Sequence, residues 1–350
     1  MNAGRTHWWN RYVPAHINNP FRLVYRLLSS GNRAARSAML QAAAGFGLMP
    51  IDLLLRRRER RLYASAQPPH KPVIIVVGPP RSGTTLVAQY LINTFDVCYL
   101  NNLTALFPKS PITANVLFGR MAKLGAGDYD AFYGKSRGLS GANDGLHIWD
   151  RWLGSDRDRV PEQLQGDALR TMPQFFGALE AHYGIPLVNK VNRLNTCANL
   201  VADCLPGAWF ICLKRDPLYL AQSLYVAREQ ISGDLDTPYG TLHSGAARGD
   251  PVEDVCRQVA YHEGQASRQQ ALLGRERFSV VEYEEFCKRP ADFARSIAAQ
   301  HPVLRLRDAQ PPNATEFGVS RKSKLPERIL DQMKESLSNL ETSKVSLRLF

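Results

Sequence analysis

The stretch GPPRSGTT, residues 78–85, has the spacing of a loop that cradles phosphate: Gly78, four residues, Gly83, then a hydroxyl at Thr85. Thr84 stands where a nucleotide-hydrolysing loop carries lysine, and an arginine, Arg81, sits inside the loop. Glycine lets backbone approach an anion, the amides at the next helix N-terminus face it, and Ser82, Thr84 and Thr85 add hydroxyls. A second cationic group, Lys214 and Arg215, is followed by Ser223, eight residues beyond Arg215. On a helix begun at Asp216, Ser223 would lie about two turns along with its hydroxyl directed back toward the preceding strand. Two separate anion sites are expected.

The elements that must hold these groups follow from periodicity. PVIIVVG (72–78) is a continuous β-branched run that ends in the loop, and TTLVAQYLINTF (84–95) follows with helical spacing. PLVNKV (186–191), AWFICLKR (208–215) and FSVVEY (278–283) are further short runs of buried type. Helical stretches such as LNTCANLVADCL (194–205) and DPLYLAQSLYVAREQ (216–230) separate them. Buried runs alternating with helices imply an α/β fold, a doubly wound parallel sheet with helices on both faces. Ligands bind beyond the carboxyl ends of such strands, where the loop and Arg215 fall. Residues 103–172 are the least regular part, an insertion expected to form a lid or a wall for the acceptor.

A lysine-free phosphate loop paired with Arg215 and Ser223 resembles the sulfotransferases that use 3′-phosphoadenosine 5′-phosphosulfate (PAPS). PPRSGTTL (79–86) is similar to the loop of the tyrosylprotein and bacterial branches, where arginine takes the place of lysine. NKVNR (189–193) followed by LPGAWFICLKRDP (205–217) resembles the approach to the second site, and VVEYEEF (280–286) the strand that ends near the adenine. The likeness covers roughly residues 72–100 and 185–300. It implies that Arg81, Ser82, Gly83, Thr84 and Thr85 grip the 5′-phosphosulfate, that Arg215 and Ser223 grip the 3′-phosphate, and that Tyr283 lies near the adenine.

Sulfuryl transfer runs in line between an acceptor oxygen and a bridging phosphate oxygen, so charge must be stabilised on the leaving phosphate. Arg81 can do this with a fork that stays charged at any working pH. Thr85 has no Walker-type acid at a following strand end to complete a magnesium site, so no metal is expected. Many relatives of the tyrosylprotein and bacterial type have a glutamate after the second strand, but DVCYLNNL (96–103) offers only Asn101 and Asn102, which cannot act as bases. The nearest polar constellation is GLSGANDGLHIWDRWLG (138–154), with Asp144, His147 and Asp150 spaced by three and so expected on one helix face. His147 is the expected base, oriented by Asp144 or Asp150. Asp144 is the alternative base, or else a helix cap. Trp149 and Trp152 are either core or a stacking wall for a sugar ring.

Net charge bears on partners. Of the formal +12, residues 1–61 carry +9, eleven arginines against Asp52 and Glu59, which leaves only +3 for the remainder. That remainder suits one multiply anionic small ligand and not a nucleic-acid surface. SAMLQAAAGFGLMPIDLLL (37–55) is apolar, but Gln41, Pro50 and Asp52 disfavour a spanning helix. Residues 1–65 are therefore expected to be a basic amphipathic extension that either lies on an anionic membrane or packs on residues 66–350, the catalytic domain. The first apolar run begins too late for a cleavable signal and lacks a small-residue cleavage site. Six cysteines without a CxxC pair are expected to be buried, reduced thiols, which suits the cytoplasm or the inner face of its membrane. The expected activity is transfer of a sulfuryl group from PAPS to a hydroxyl of a carbohydrate or lipid-linked glycan. A phosphate-loop kinase, or a non-enzymatic membrane scaffold retaining the fold, are the alternatives.

Overall fold

In a computed structural model the described residues are 33–121, 129, 131–132, 135–136, 138–157, 159–237, 239–240, 249–307, 316–319, 323 and 325–348. In chain order they form α1 (Arg33–Ser65), β1 (Val73–Val77), α2 (Thr84–Thr94), α3 (Asn102–Leu106), α4 (Pro111–Phe118), and the short strands β2 (Ala131–Phe132) and β3 (Lys135–Ser136). Next come α5 (Leu146–Leu153), α6 (Ala168–Tyr183), β4 (Leu187–Lys190), α7 (Ala198–Cys204), β5 (Ala208–Lys214) and α8 (Pro217–Ala227). The chain continues with α9 (Pro251–Leu273), β6 (Phe278–Glu282), α10 (Tyr283–Lys288), α11 (Pro290–Gln300) and α12 (Glu327–Arg348). Residues 1–32, which hold Trp8, Trp9 and four of the eleven N-terminal arginines, lie outside the described residues.

β1 is buried on both faces because it is the centre of a parallel sheet ordered β4-β1-β5-β6. Val73 stands opposite Leu187 on one side and Ala208 on the other, and Phe210 of β5 stands opposite Phe278. Successive β1 side chains feed two cores. Val73, Ile75 and Val77 pack with Trp149, Trp152, Phe175 and Phe176, while Ile74 and Val76 pack with residues of α2, α10 and α11. The expected strands at 72–78, 186–191, 208–215 and 278–283 are all present, each shorter by one to two residues. Residues just after α2 run beside β4 as a short edge: Cys98 bridges Leu187 in parallel, and Val188 N donates to Cys98 O at 2.9 Å. Trp149 and Trp152 are core and not a sugar platform; their indole N–H groups donate to Asn189 Oδ1 and Thr171 Oγ1. All six cysteines are buried and unpaired.

α1 is fastened to the insertion by its two acids. Ser110, the N-cap of α4, makes no side-chain cap of its own. Glu59 fills that role, accepting from Ile112 N at 3.1 Å and from Thr113 N and Oγ1 at 2.7 Å. Asp52 accepts from Lys109 N and, at 2.6 Å, from Ser110 Oγ. Both carboxylates are buried. The start of the segment 103–172 is thus braced by α1, and residues 142–144 reach the sheet edge, with Asn143 N donating to Leu100 O at 2.7 Å.

Candidate active site

The loop after β1 is shaped by three positive φ values. At Gly78, φ +147°, a Cβ would lie 2.9 Å from both Leu213 O and Ser82 Oγ. Arg81 has φ 72°, the sole positive value for a non-glycine among the described residues. That conformation costs roughly 1–2 kcal/mol and lines up successive amides around a concavity. Ser82 closes the turn, its N and Oγ both donating to Pro79 O. Gly83, φ +95°, leads into α2, and a Cβ there would run into the Tyr283 ring. Because Gly83 also stands at the N-cap of α2, no side chain caps the first turn of that helix, whose amides are left to face an anion.

Arg81 and Ser223, expected in separate sites, meet. Arg81 Nε donates to Ser223 Oγ at 3.2 Å, and Arg215 Nη1 donates to Arg81 O at 2.8 Å. The reason is sheet order: β1 and β5 are neighbours with Val77 opposite Cys212, so the turns that follow them abut. The two expected anion sites form one cationic crescent. Tyr283, at the end of β6, is its floor: the ring sits under Gly83 and the Arg215 guanidinium lies 5.2 Å above its centroid. Burial holds the Tyr283 phenol well above its ordinary range, so it stays neutral. Arg215 Nε is buried with no hydrogen-bond partner. A buried guanidinium N–H without an acceptor is costly.

Across Thr85 the polarity changes. Lys190, the last residue of β4, places Nζ 3.3 Å from Thr85 Oγ1 and 2.8 Å from Asp144 Oδ1. Thr84, whose position a lysine would occupy in a nucleotide-hydrolysing loop, instead donates its hydroxyl to Asn192 Oδ1 at 2.9 Å. Lys190 therefore brings a cation from the neighbouring strand to the side of the loop away from Arg81. A narrow pocket opens beside this pair, lined by Thr85, Gln89, Tyr99, Asn143, Asp144 and Lys190 among others.

His147 is not brought to that pocket. The expected helix starts at Leu146, after Gly145 in the left-handed region, so Asp144 lies outside it and the three-residue spacing does not put the candidates on one face. A Cβ at Gly145 would overlap Leu100, and Asn143 Oδ1 accepts from Gly145 N, which together turn Asp144 toward Lys190. His147 turns the other way, with Thr104 backbone as its partner and Nε2 enclosed without one. Burial, helped by the Arg151 and Arg157 charges, pushes its pKa down to about 3. Asp150 is engaged by Arg157 at 2.7 Å and by Arg193 at 3.6 Å, and so does not orient His147. Asn101 caps α3 in a reciprocal box with Thr104, and Asn102 accepts from Asn143 Nδ2. Lys190 was missed from sequence although the signal that found Arg215, a cation at a strand's carboxyl end, marks it too.

Among curated proteins no match is found. Sulfotransferase STF1 of Mycobacterium tuberculosis H37Rv shares 12% identity over 91% of this chain and 92% of its own, with a TM-score of 0.50, and so shares the fold. Sulfotransferase STF9 of Mycobacterium avium is 16% identical over 91% and 81% of the two chains, with a TM-score of 0.49. A sulfotransferase of Alicyclobacillus acidocaldarius is 16% identical over 78% of this chain and 96% of that one, with a TM-score of 0.42. The sequence model of the sulfotransferase family matches residues 72–301. That match runs from just before β1 to just past α11, through every strand of the parallel sheet and both halves of the cationic crescent, and the chain belongs to the sulfotransferase family.

Proposed function

We propose that the protein transfers a sulfuryl group from PAPS to a hydroxyl of a carbohydrate or lipid-linked glycan. The observation that carries this reading is the pair of opposed groups on the two sides of Thr85: a cationic crescent, and a carboxylate held by a lysine. On the crescent side, Arg215 and Ser223 hold the 3′-phosphate, and Arg81, Ser82, Gly83, Thr84 and Thr85 surround the 5′-phosphosulfate, with Tyr283 as the wall behind them. The uncapped α2 N-terminus and the unpartnered Arg215 Nε support the fit. PAPS, when bound, supplies the sulfuryl group and the phosphate that leaves.

On the pocket side, Asp144 accepts the proton of the acceptor hydroxyl, and Arg81 and Lys190 stabilise charge growing on the bridging oxygen. The base is Asp144 and not His147, because only Asp144 lines the pocket beside Thr85. Gln89, Tyr99 and Asn143 give the pocket a partly polar lining that suits a hydroxylated acceptor. No metal is assigned a role.

The test is a transfer assay with sulfur-labelled PAPS against fractionated glycans, lipids and proteins. Label in a glycan or glycolipid fraction is the expected result; label confined to protein would replace the acceptor. Absence of PAPS binding would leave the scaffold reading standing.

A further inference from the structure

The two acids of α1 are both spent inward: Asp52 is 2% exposed and Glu59 1%, each capping backbone of the insertion. A helix turns about 100° per residue, so Leu54, Arg57 and Arg61 form the stripe opposite these two carboxylates. Leu54 is 78% exposed, and every arginine of the run 56–61 is exposed. No acid remains on that face of residues 44–65 to neutralise them. Leu53, next to Leu54, is 43% exposed.

Among the described residues no helix is long and apolar enough to cross a membrane. A stripe that passes from leucine to arginine along one helix matches a bilayer interface, where apolar side chains enter the acyl boundary and arginines reach the anionic headgroups. A phosphate backbone in water would leave Leu54 exposed. We propose that this outward stripe docks on an anionic lipid bilayer. α3 lies between α1 and the pocket: Leu103 and Leu106 pack with Leu48 and Leu55, and Asn102 is hydrogen-bonded to Asn143 beside Asp144. Docking therefore puts α1 and α3 between the bilayer and the pocket. That the acceptor is membrane-borne rests on the function proposed above; the docking does not.

The experiment is flotation of the full-length protein with phosphatidylcholine vesicles, with and without phosphatidylglycerol, in the absence of any sulfuryl donor, so its outcome is independent of the assigned chemistry. Deleting residues 1–65 would uncap α4 and confuse folding with docking, so exposed point variants are used. Flotation is expected only with phosphatidylglycerol and is lost at high salt. Arg57→Gln with Arg61→Gln lowers the partition coefficient about 30-fold, and Leu54→Ser about tenfold, with melting temperature unchanged. Failure of the intact protein to float, equal flotation on phosphatidylcholine alone, or parental flotation of both variants overturns the proposal. Preferential retention on duplex DNA over anionic vesicles also overturns it, and marks a nucleic-acid surface.

Discussion

Arg81, Arg215 and Ser223 stand on one side of Thr85, and Lys190 with Asp144 on the other, and the two groups are built differently. The first three are placed by the ends of two adjacent strands and the helix that follows one of them, so their positions follow from the order of elements along the chain. Asp144 hangs in a turn within an irregular insertion, more than forty residues from Lys190 in sequence. It reaches the pocket because Gly145 adopts φ +64° against Leu100, in a segment whose start is braced by α1. Groups at strand ends come with the fold; groups on an insertion depend on what packs behind it.

The largest effect expected from breaking the crescent is at its hinge. Arg81→Ala lowers kcat by about 10³ or more while binding of the desulfated product stays within a few-fold, because the lost interaction grows in the transition state. Rapid-quench turnover with labelled PAPS, beside calorimetry on the product, checks it; near-parental kcat removes Arg81 from the chemistry. On the insertion side, Asp144→Asn lowers kcat by about 10² to 10³ with PAPS affinity unchanged, and His147→Gln leaves kcat nearly untouched. The reverse pattern in the same assay returns the base to His147.

A smaller effect separates the two halves of the crescent. Arg215→Ala or Ser223→Ala weakens PAPS by about 10- to 100-fold, with little change for adenosine 5′-phosphosulfate, which lacks the 3′-phosphate. Equal losses for the two ligands in a competition assay would reassign the pair. Gly83→Ala destabilises the fold by about 2–4 kcal/mol, since alanine must adopt φ +95° and its methyl meets Tyr283. Denaturant unfolding measures this, and an unchanged midpoint would mean that the Tyr283 floor yields.

The least effect belongs to pH. The His147 pKa is lowered from 6.5 to about 3 by burial, so below pH 6.5 the unfolded chain takes up a proton that the folded ring refuses. Stability falls as pH drops from about 6.5 toward 3 and is unaffected by this group above that range. His147→Gln flattens the slope in thermal melts between pH 4 and 6.5, and an unchanged slope would show that the ring is protonated in place.

All four strands of the parallel sheet were legible because each is a short run rich in apolar residues bounded by turn residues, and their boundaries shift by no more than two positions. The loop, Arg215 and Ser223 were legible for the same reason: position after a strand is a property of connectivity. Asp144 was singled out for a helical face it does not share, because the start of α5 is decided by Gly145 against Leu100, a contact between segments far apart in sequence. His147 looked suited to titrate near neutrality, since type and spacing carry no measure of the burial that lowers its pKa. Lys190 carries the same signal as Arg215, a cation near the carboxyl end of a strand, but PLVNKV reads on past it as strand to Val191.

The sequence by itself determined the parallel sheet, the glycine-flanked loop after β1 and the cation pair at the end of β5, because periodicity and chain connectivity are local properties. Only the tertiary structure decided that Arg81 and Ser223 meet, that Lys190 lies between Thr85 and Asp144, and that Asp144 rather than His147 faces the pocket. It also decided that both acids of α1 turn inward and leave a face of leucine and arginine. Each of these rests on a pairing across more than forty residues of chain, where packing and the dielectric surroundings, and not spacing, set which groups touch and which stay charged.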